Sequence, residues 1–197
     1  MVKRNNEEKG ILKYLIDHKE QKFSINQLAK ARKVNYKSAY QNILKLRDKK
    51  IIETEKLGNT TNCSFNYKFD SLVFAVESER REDKLKDKKI NSVFRELKNV
   101  ENPFFIVLLF GSYASGKQTK GSDIDILIIV NDSTLENEIK RNLSILPFDV
   151  HCTYLSTKEF KSMINSREFN VVEEVKKNNI ILRGVEGYYQ LIENVRH

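Results

Sequence analysis

The sequence predicts an α+β protein in two parts: a small basic helical domain closed by a β-hairpin, and a larger domain in which strands alternate with helices around a mixed sheet. Three observations carry this. Apolar residues recur at helical spacing up to about residue 50 and then alternate, as strands do, up to residue 69. Short runs rich in aromatic and branched residues return after residue 102, interleaved with helical stretches. Charge divides along the same line: residues 1–70 hold 16 Lys and Arg against 8 Asp and Glu, whereas residues 103–197 hold 11 against 12. A chain of 197 residues has room for one large domain or two small ones.

In the first part, Ile11, Leu12, Leu15 and Ile16 give residues 6–18 one helical face. Ser24 reads as the N-cap of a helix over Ile25–Lys33, with Gln27 at the capping-box position. After a break at Val34-Asn35, a third helix over Tyr36–Lys50 carries Ala39, Ile43, Leu44 and Leu46 as its stripe. Ile51–Leu57 and Cys63–Phe69 read as strands, joined by the turn-forming cluster Gly58–Asn62.

Helix, helix, short turn, helix and hairpin, with this size and charge, resembles a winged helix-turn-helix domain over residues 6–70. The resemblance implies double-stranded DNA as a partner, with the third helix in the major groove and the hairpin against the backbone or minor groove. The residues it assigns to reading are Asn35, Tyr36, Lys37, Ser38, Tyr40 and Gln41, with Lys56, Asn59, Thr60 and Thr61 on the wing. Their chemistry suits the task, because Asn and Gln pair with adenine and Lys reaches phosphate or guanine. Palindromic operators would call for a homodimer. A lysine-rich solubilising surface, or a winged helix used only for protein contact, explains the same charge.

Residues 71–100 form a charge-dense linker, in which Leu85, Ile90, Val93, Phe94 and Leu97 predict a helix over Asp83–Asn99. Domain boundaries at 1–70, 71–100 and 101–197 follow. In the last of these, Phe104–Phe110, Asp123–Val130, Phe148–Leu155 and Ile180–Leu182 read as strands. Thr134–Leu143, Ser156–Asn165, Phe169–Asn178 and Gly187–Val195 read as helices.

The chemistry concentrates in Leu109–Val130. Gly111-Ser112 follows the first strand directly, and ten residues later Asp123 and Asp125 flank Ile124. Alternate strand residues share a face, with Cα atoms roughly 6–7 Å apart. Two carboxylates held so close at the mouth of an apolar run are costly unless a cation compensates them. Mg²⁺ fits, because it takes oxygen ligands and binds through a few carboxylates plus substrate phosphates. Asp149, in the third strand, would complete a three-carboxylate cluster if that strand lies beside the second, and would serve as metal ligand and general base. His151, two residues on, shares its face. Gly111-x-x-x-x-Gly116-Lys117 also has the outline of a P-loop, but Gln118 stands where Ser or Thr must hold the metal, and no long helix follows.

Gly-Ser, ten residues, Asp-x-Asp and a later lone Asp together resemble the DNA polymerase β-like nucleotidyltransferase superfamily, in particular its minimal nucleotidyltransferase group, over about Asn102–Leu191. The ending KKNNIILRGVEGYYQLI is similar to that group too. The resemblance implies that Gly111, Ser112 and Lys117 contact the triphosphate of ATP or another NTP. It also implies that Asp123, Asp125 and Asp149 bind Mg²⁺ or Mn²⁺ and carry the transfer of a nucleoside monophosphate. Ser115 stands where many members have Arg. Antitoxins that modify a HEPN-type toxin protein belong to this group, so such a toxin is one acceptor the resemblance offers.

Two functions stay open on the sequence: a Mg²⁺-dependent nucleotidyltransferase coupled to a DNA-binding domain, antitoxin-like, or a DNA-binding regulator whose second domain senses nucleotide without turnover. Composition excludes other classes. Cys63 and Cys152 are too few and too far apart for a disulfide framework or a zinc site. No secretory signal opens the chain and no apolar run is long enough to cross a bilayer, so a cytoplasmic protein without a membrane partner is expected. Cys152 reads as core, Tyr113 as a packing or base-stacking ring, and Tyr188 and Tyr189 as packed or interfacial.

Overall fold

In the computed structural model, which describes residues 2–166 and 170–193, the chain divides into two compact units with the boundary after Val76. The first unit holds α1 (Val2–Asp17), β1 (Phe23–Ser24), α2 (Ile25–Arg32), α3 (Tyr36–Asp48), β2 (Ile52–Leu57) and β3 (Thr60–Phe65). The capping box expected at Ser24 is present: its hydroxyl accepts from the Gln27 N–H and the Gln27 side chain accepts from the Ser24 N–H. Ile11, Leu12, Leu15 and Ile16 are buried, as are Leu28, Ala39, Ile43 and Leu46, so the predicted stripes form the core except at Leu44, which is only half-buried. Burial of each of the larger aliphatic side chains stabilises the unit by about 1.5–3 kcal/mol.

The hairpin is tighter than the sequence suggests. Leu57 pairs with Thr60, so Gly58 and Asn59 alone make the turn, and Thr60, Thr61 and Asn62 belong to a strand. Gly58 adopts a φ of 57°, the left-handed conformation such two-residue turns demand. The two-residue β1 pairs with β3 and completes a three-stranded antiparallel sheet in the order β1-β3-β2.

The charged linker is two helices rather than one. α4 spans Ser71–Lys84 and α5 spans Lys88–Lys98. Asp87 breaks the expected helix, since its carboxylate accepts from the N–H groups of Lys89 and Ile90 and so starts α5 as an N-cap. The unit boundary falls inside α4.

The second unit is built on a four-stranded mixed sheet in the order β6-β5-β4-β7, from β4 (Ile106–Phe110), β5 (Ile124–Ile129), β6 (Val150–Leu155) and β7 (Ile180–Arg183). β4 runs antiparallel to both neighbours, and β5 runs parallel to β6. Its helices are α4 from Glu77 on, α5, α6 (Gly111–Ser115), α7 (Ser133–Leu143), α8 (Thr157–Ile164), α9 (Val171–Lys177) and α10 (Val185–Glu193). The expected helix limits at Phe169 and Val195 lie outside the described residues.

Alternation sorts the sheet into two faces. Val107, Leu109, Ile124, Ile126, Ile128 and Val130 join Ile90, Val93 and Leu97 of α5 and Leu135, Ile139 and Leu143 of α7 in one core. Leu108, Leu127, Ile129 and Ile181 are buried on the other face, beside α8, α9 and α10. Phe104 is not a strand residue as expected: it is 85 % exposed, held in a turn by its N–H bond to the Asn102 side chain.

A buried polar network ties α4 to the end of the chain. Glu77, Arg80 and Asn179 are buried, although the first two belong to the charge-dense linker. Arg80 donates to Glu77 at 2.5 Å and to the Asn179 carbonyl at 3.0 Å. The Tyr189 hydroxyl donates to Glu77 at 2.5 Å, and the Asn179 amide donates to the Tyr188 hydroxyl at 2.9 Å. Burial, reinforced by the Glu77 carboxylate, holds the Tyr189 phenol protonated well above its ordinary pKa. Tyr188 and Tyr189 are therefore packed core residues. Glu77→Ala leaves the Arg80 guanidinium buried without its counter-charge. It is expected to lower the unfolding free energy of this unit by about 3–5 kcal/mol, against about 1–3 kcal/mol for Tyr189→Phe. Urea titration followed by circular dichroism measures both.

Candidate active site

The site is set by the pairing of β4 with β5. Phe110, the last residue of β4, lies opposite Asp125. The chain must therefore turn directly beside that carboxylate, and it does so at Gly111. A Cβ at position 111 would lie 2.5 Å from Asp125 Oδ2, and the φ of 65° is itself one that L side chains rarely adopt. Gly111 opens α6, a helix of five residues that ends at Gly116 with φ 72°. Its N-cap is Phe110, which offers no side-chain acceptor to the first-turn N–H groups. Tyr113 and Ala114 pack into the core, so Tyr113 is a packing ring.

Asp123 and Asp125 flank the buried Ile124 as expected, although Asp123 stands one residue ahead of β5. β5 and β6 pair in parallel with Asp125 opposite His151. His151 Nδ1 lies 3.7 Å from Asp125 Oδ1 and 4.0 Å from Asp123 Oδ2. Partial burial raises the Asp125 pKa above the ordinary carboxylate range. The imidazole beside it opposes that shift, and Asp123 adds to it.

Asp149 does not complete a three-carboxylate cluster. Among the described residues, no three His, Cys, Asp or Glu side chains stand close enough to hold a metal ion. The expected neighbourhood of strands is present, but Asp149 precedes β6 and is exposed. It lines a cavity of about 460 Å³ with Phe148, Val150, Cys152 and Tyr154, residues of the β6 face turned away from His151. What the structure gathers beside Gly111 is Asp125, Asp123 and His151. The donor set still fits a divalent cation: two carboxylates on one side of the sheet offer hard oxygen ligands, and their mutual repulsion is what a cation relieves.

Ser112 directly follows Gly111, and its carbonyl accepts from the Lys117 N–H at 3.0 Å, which folds the chain after Gly116 back onto α6. The Lys117 side chain is exposed. Ser115, where a cation is expected from the resemblance, turns its hydroxyl onto the Gly111 and Ser112 carbonyls at 3.1 Å each. Neither the short α6 nor the role of Lys84, whose ammonium donates to the Tyr113 carbonyl at 2.7 Å, is evident from the sequence. Paired glycines at 111 and 116 were the one signal for α6.

In the first unit, two of the six candidate reading residues are engaged in the fold. The Asn35 side chain caps α3 by accepting from the Ser38 N–H at 2.8 Å, and the Ser38 hydroxyl donates to Glu7. Tyr36, Lys37, Tyr40 and Gln41 are exposed on α3, with the Tyr36 and Tyr40 rings stacked 6.2 Å apart. Lys56, Asn59 and Thr60 are exposed on the hairpin, and Thr61 is half-buried.

Residues 88–180 match a family model described as a nucleotidyltransferase domain. The matched segment contains Gly111, Ser112, Asp123, Asp125, Asp149 and His151. No curated protein matches the chain. Among the described residues no helix is long and apolar enough to cross a membrane.

A carboxyl whose pKa is raised by folding weakens the fold once it ionises. The penalty is absent below the range of the unfolded carboxyl, about pH 4, and complete above the raised value of the folded one. In chelator, Asp125→Asn is therefore expected to be more stable than the parent at neutral pH, with the gain vanishing as pH falls below the carboxylate range. Mg²⁺ is expected to raise the melting temperature of the parent and not of the variant. Thermal unfolding across pH, with and without the ion, checks both.

Proposed function

We propose that the second unit is a metal-dependent nucleotidyltransferase that moves a nucleoside monophosphate, AMP from ATP, onto a hydroxyl acceptor and releases pyrophosphate. The observation that carries this reading is the close approach of Gly111 to Asp125, which puts the Gly-Ser turn against the carboxylate pair within a segment that matches a nucleotidyltransferase family. In the reaction, the acceptor oxygen bonds to the α-phosphorus, the bond from that phosphorus to the bridging oxygen breaks, and the hydroxyl proton passes to a base. A bound Mg²⁺ or Mn²⁺ supplies charge neutralisation on the triphosphate and acidifies the attacking hydroxyl. Asp123 and Asp125 would hold that ion. Gly111 lets the backbone approach the phosphates, Ser112 adds a hydroxyl donor, and exposed Lys117 adds charge at the mouth. The resemblance assigns the acceptor hydroxyl to Asp149, which stands one residue ahead of β6 and outside the Asp123 and Asp125 pair. The acceptor is a protein side chain, an RNA end or a small molecule, with a HEPN-type toxin protein as the antitoxin-like case.

The first unit supports a second activity on the same chain, binding of double-stranded DNA. Its helix–strand–helix–helix–hairpin order resembles that of a winged helix-turn-helix, and α3 exposes Tyr36, Lys37, Tyr40 and Gln41 along one side, which supports this reading. A regulator that binds nucleotide without turnover shares these features. Label transfer separates the two readings.

With α-labelled NTPs, Mg²⁺ or Mn²⁺ and candidate acceptors, label transfer is expected from the parent chain. Asp123→Ala combined with Asp125→Ala is expected to reduce it at least 100-fold, on the order of one lost charge-stabilising contact in such sites. Tight nucleotide binding with no transfer to any acceptor class would turn the reading to the regulator. DNA affinity is expected to fall steeply as salt rises, and Lys37→Ala to lower the slope of log K against log salt by about one. Fluorescence anisotropy with labelled duplexes measures it.

A further inference from the structure

Lys84 lies in the charge-dense linker, four residues ahead of the segment that matches the nucleotidyltransferase family, yet it reaches into the turn that carries Gly111 and Ser112. The carbonyls of α6 account for the contact. The last carbonyls of a helix have no partner within it. Here the Gly111 and Ser112 carbonyls accept from the Ser115 hydroxyl, and Ser112 also takes the N–H groups of Gly116 and Lys117. The Tyr113 carbonyl takes the Lys84 ammonium at 2.7 Å, in a part-buried setting. Lys84 Nζ also lies beside Gly116, 3.9 Å from where a Cβ would stand, an ordinary contact distance.

We propose that Lys84 is a positioning residue for nucleotide binding, one that fixes α6 from its C-terminal end and so holds Gly111 and Ser112 against the triphosphate. This rests on the nucleotidyltransferase reading above. Both ends of α6 are glycines in the left-handed region, and one helical turn does not hold itself in place. A cation at the C-terminal end opposes the local dipole favourably, and a charge-assisted bond to a part-buried carbonyl is among the stronger kinds. Ser115 has spent its hydroxyl on its own helix and brings no charge, so the cation at the Tyr113 carbonyl comes from α4.

Isothermal titration of the full chain with Mg-ATP tests this, on the parent, Lys84→Met and Lys84→Arg, with melting temperatures measured alongside. Lys84→Met is expected to weaken ATP affinity about tenfold, the scale of one charge-assisted hydrogen bond. The KM for ATP is expected to rise by a similar factor while kcat changes little, and Lys84→Arg is expected to restore both. Unchanged ATP affinity in a folded Lys84→Met chain, even with a lowered melting temperature, overturns the inference and leaves the nucleotidyltransferase reading standing. Failure of the parent chain to bind ATP or any other NTP overturns both. Should Lys84→Met not fold, Lys84→Gln is scored by the same two outcomes.

Discussion

The register between β4 and β5 is the constraint on which the second unit's site depends. Phe110 faces Asp125 across the ladder, so the first residue beyond β4 sits over a carboxylate and only glycine fits there. The same register sends Ile124, Ile126, Ile128 and Val130 into the core shared with α5 and α7. A slip of one residue would bury Asp125 and lift Ile126 beneath Gly111. Leu127 and Ile129 are buried on the opposite face too, so what sets the face of the carboxylates is the cost of placing Asp125 in the core with α5 and α7, added to the burial of the four branched side chains there.

That placement costs something locally. Asp125 is partly buried next to a second carboxylate, and both effects disfavour its charge. His151, set opposite by the parallel pairing of β5 with β6, offsets part of the cost without a direct hydrogen bond, at 3.7 Å. A site left with unrelieved repulsion in a rigid sheet is prepared for a cation, because the relief on binding needs no rearrangement of the strands. Burial pushes the Cys63 thiol up to about 11 and raises Cys152 as well, so neither thiol is a ready nucleophile near neutral pH.

Much of this was legible in the sequence where one residue pattern answers to one local force. The helical stripes of Leu12, Leu15 and Ile43, the capping box at Ser24 and the alternation that presents Asp123 with Asp125 all follow from burial or from bonds within a few residues. What was hidden depends on partners distant in the chain. Asp87 reads as one more charge in a run until it is seen accepting two N–H groups and splitting the linker into α4 and α5. Glu77 and Arg80 read as part of a charge run, because Tyr189 and Asn179, which make their burial affordable, lie about a hundred residues on. α6 is too short for any periodicity to show. Asn35 and Ser38 have the chemistry to read bases, but the fold takes the first as a cap and the second as a partner for Glu7. Asp149 is exposed just ahead of β6 and, among the described residues, belongs to no group of three side chains that could hold a metal ion.

The segment that matches the nucleotidyltransferase family ends at residue 180 and starts at residue 88, whereas several bonds that secure the unit come from outside it. Arg80 acts on the carbonyl of Asn179, and Lys84 acts on the carbonyl of Tyr113. A backbone carbonyl is present whatever the side chain, so such bonds demand nothing of the sequence at the accepting end. They leave a mark only at the donor, as a basic residue in a stretch already full of them. This explains why the linker reads mainly as a run of charge while it acts as part of the domain.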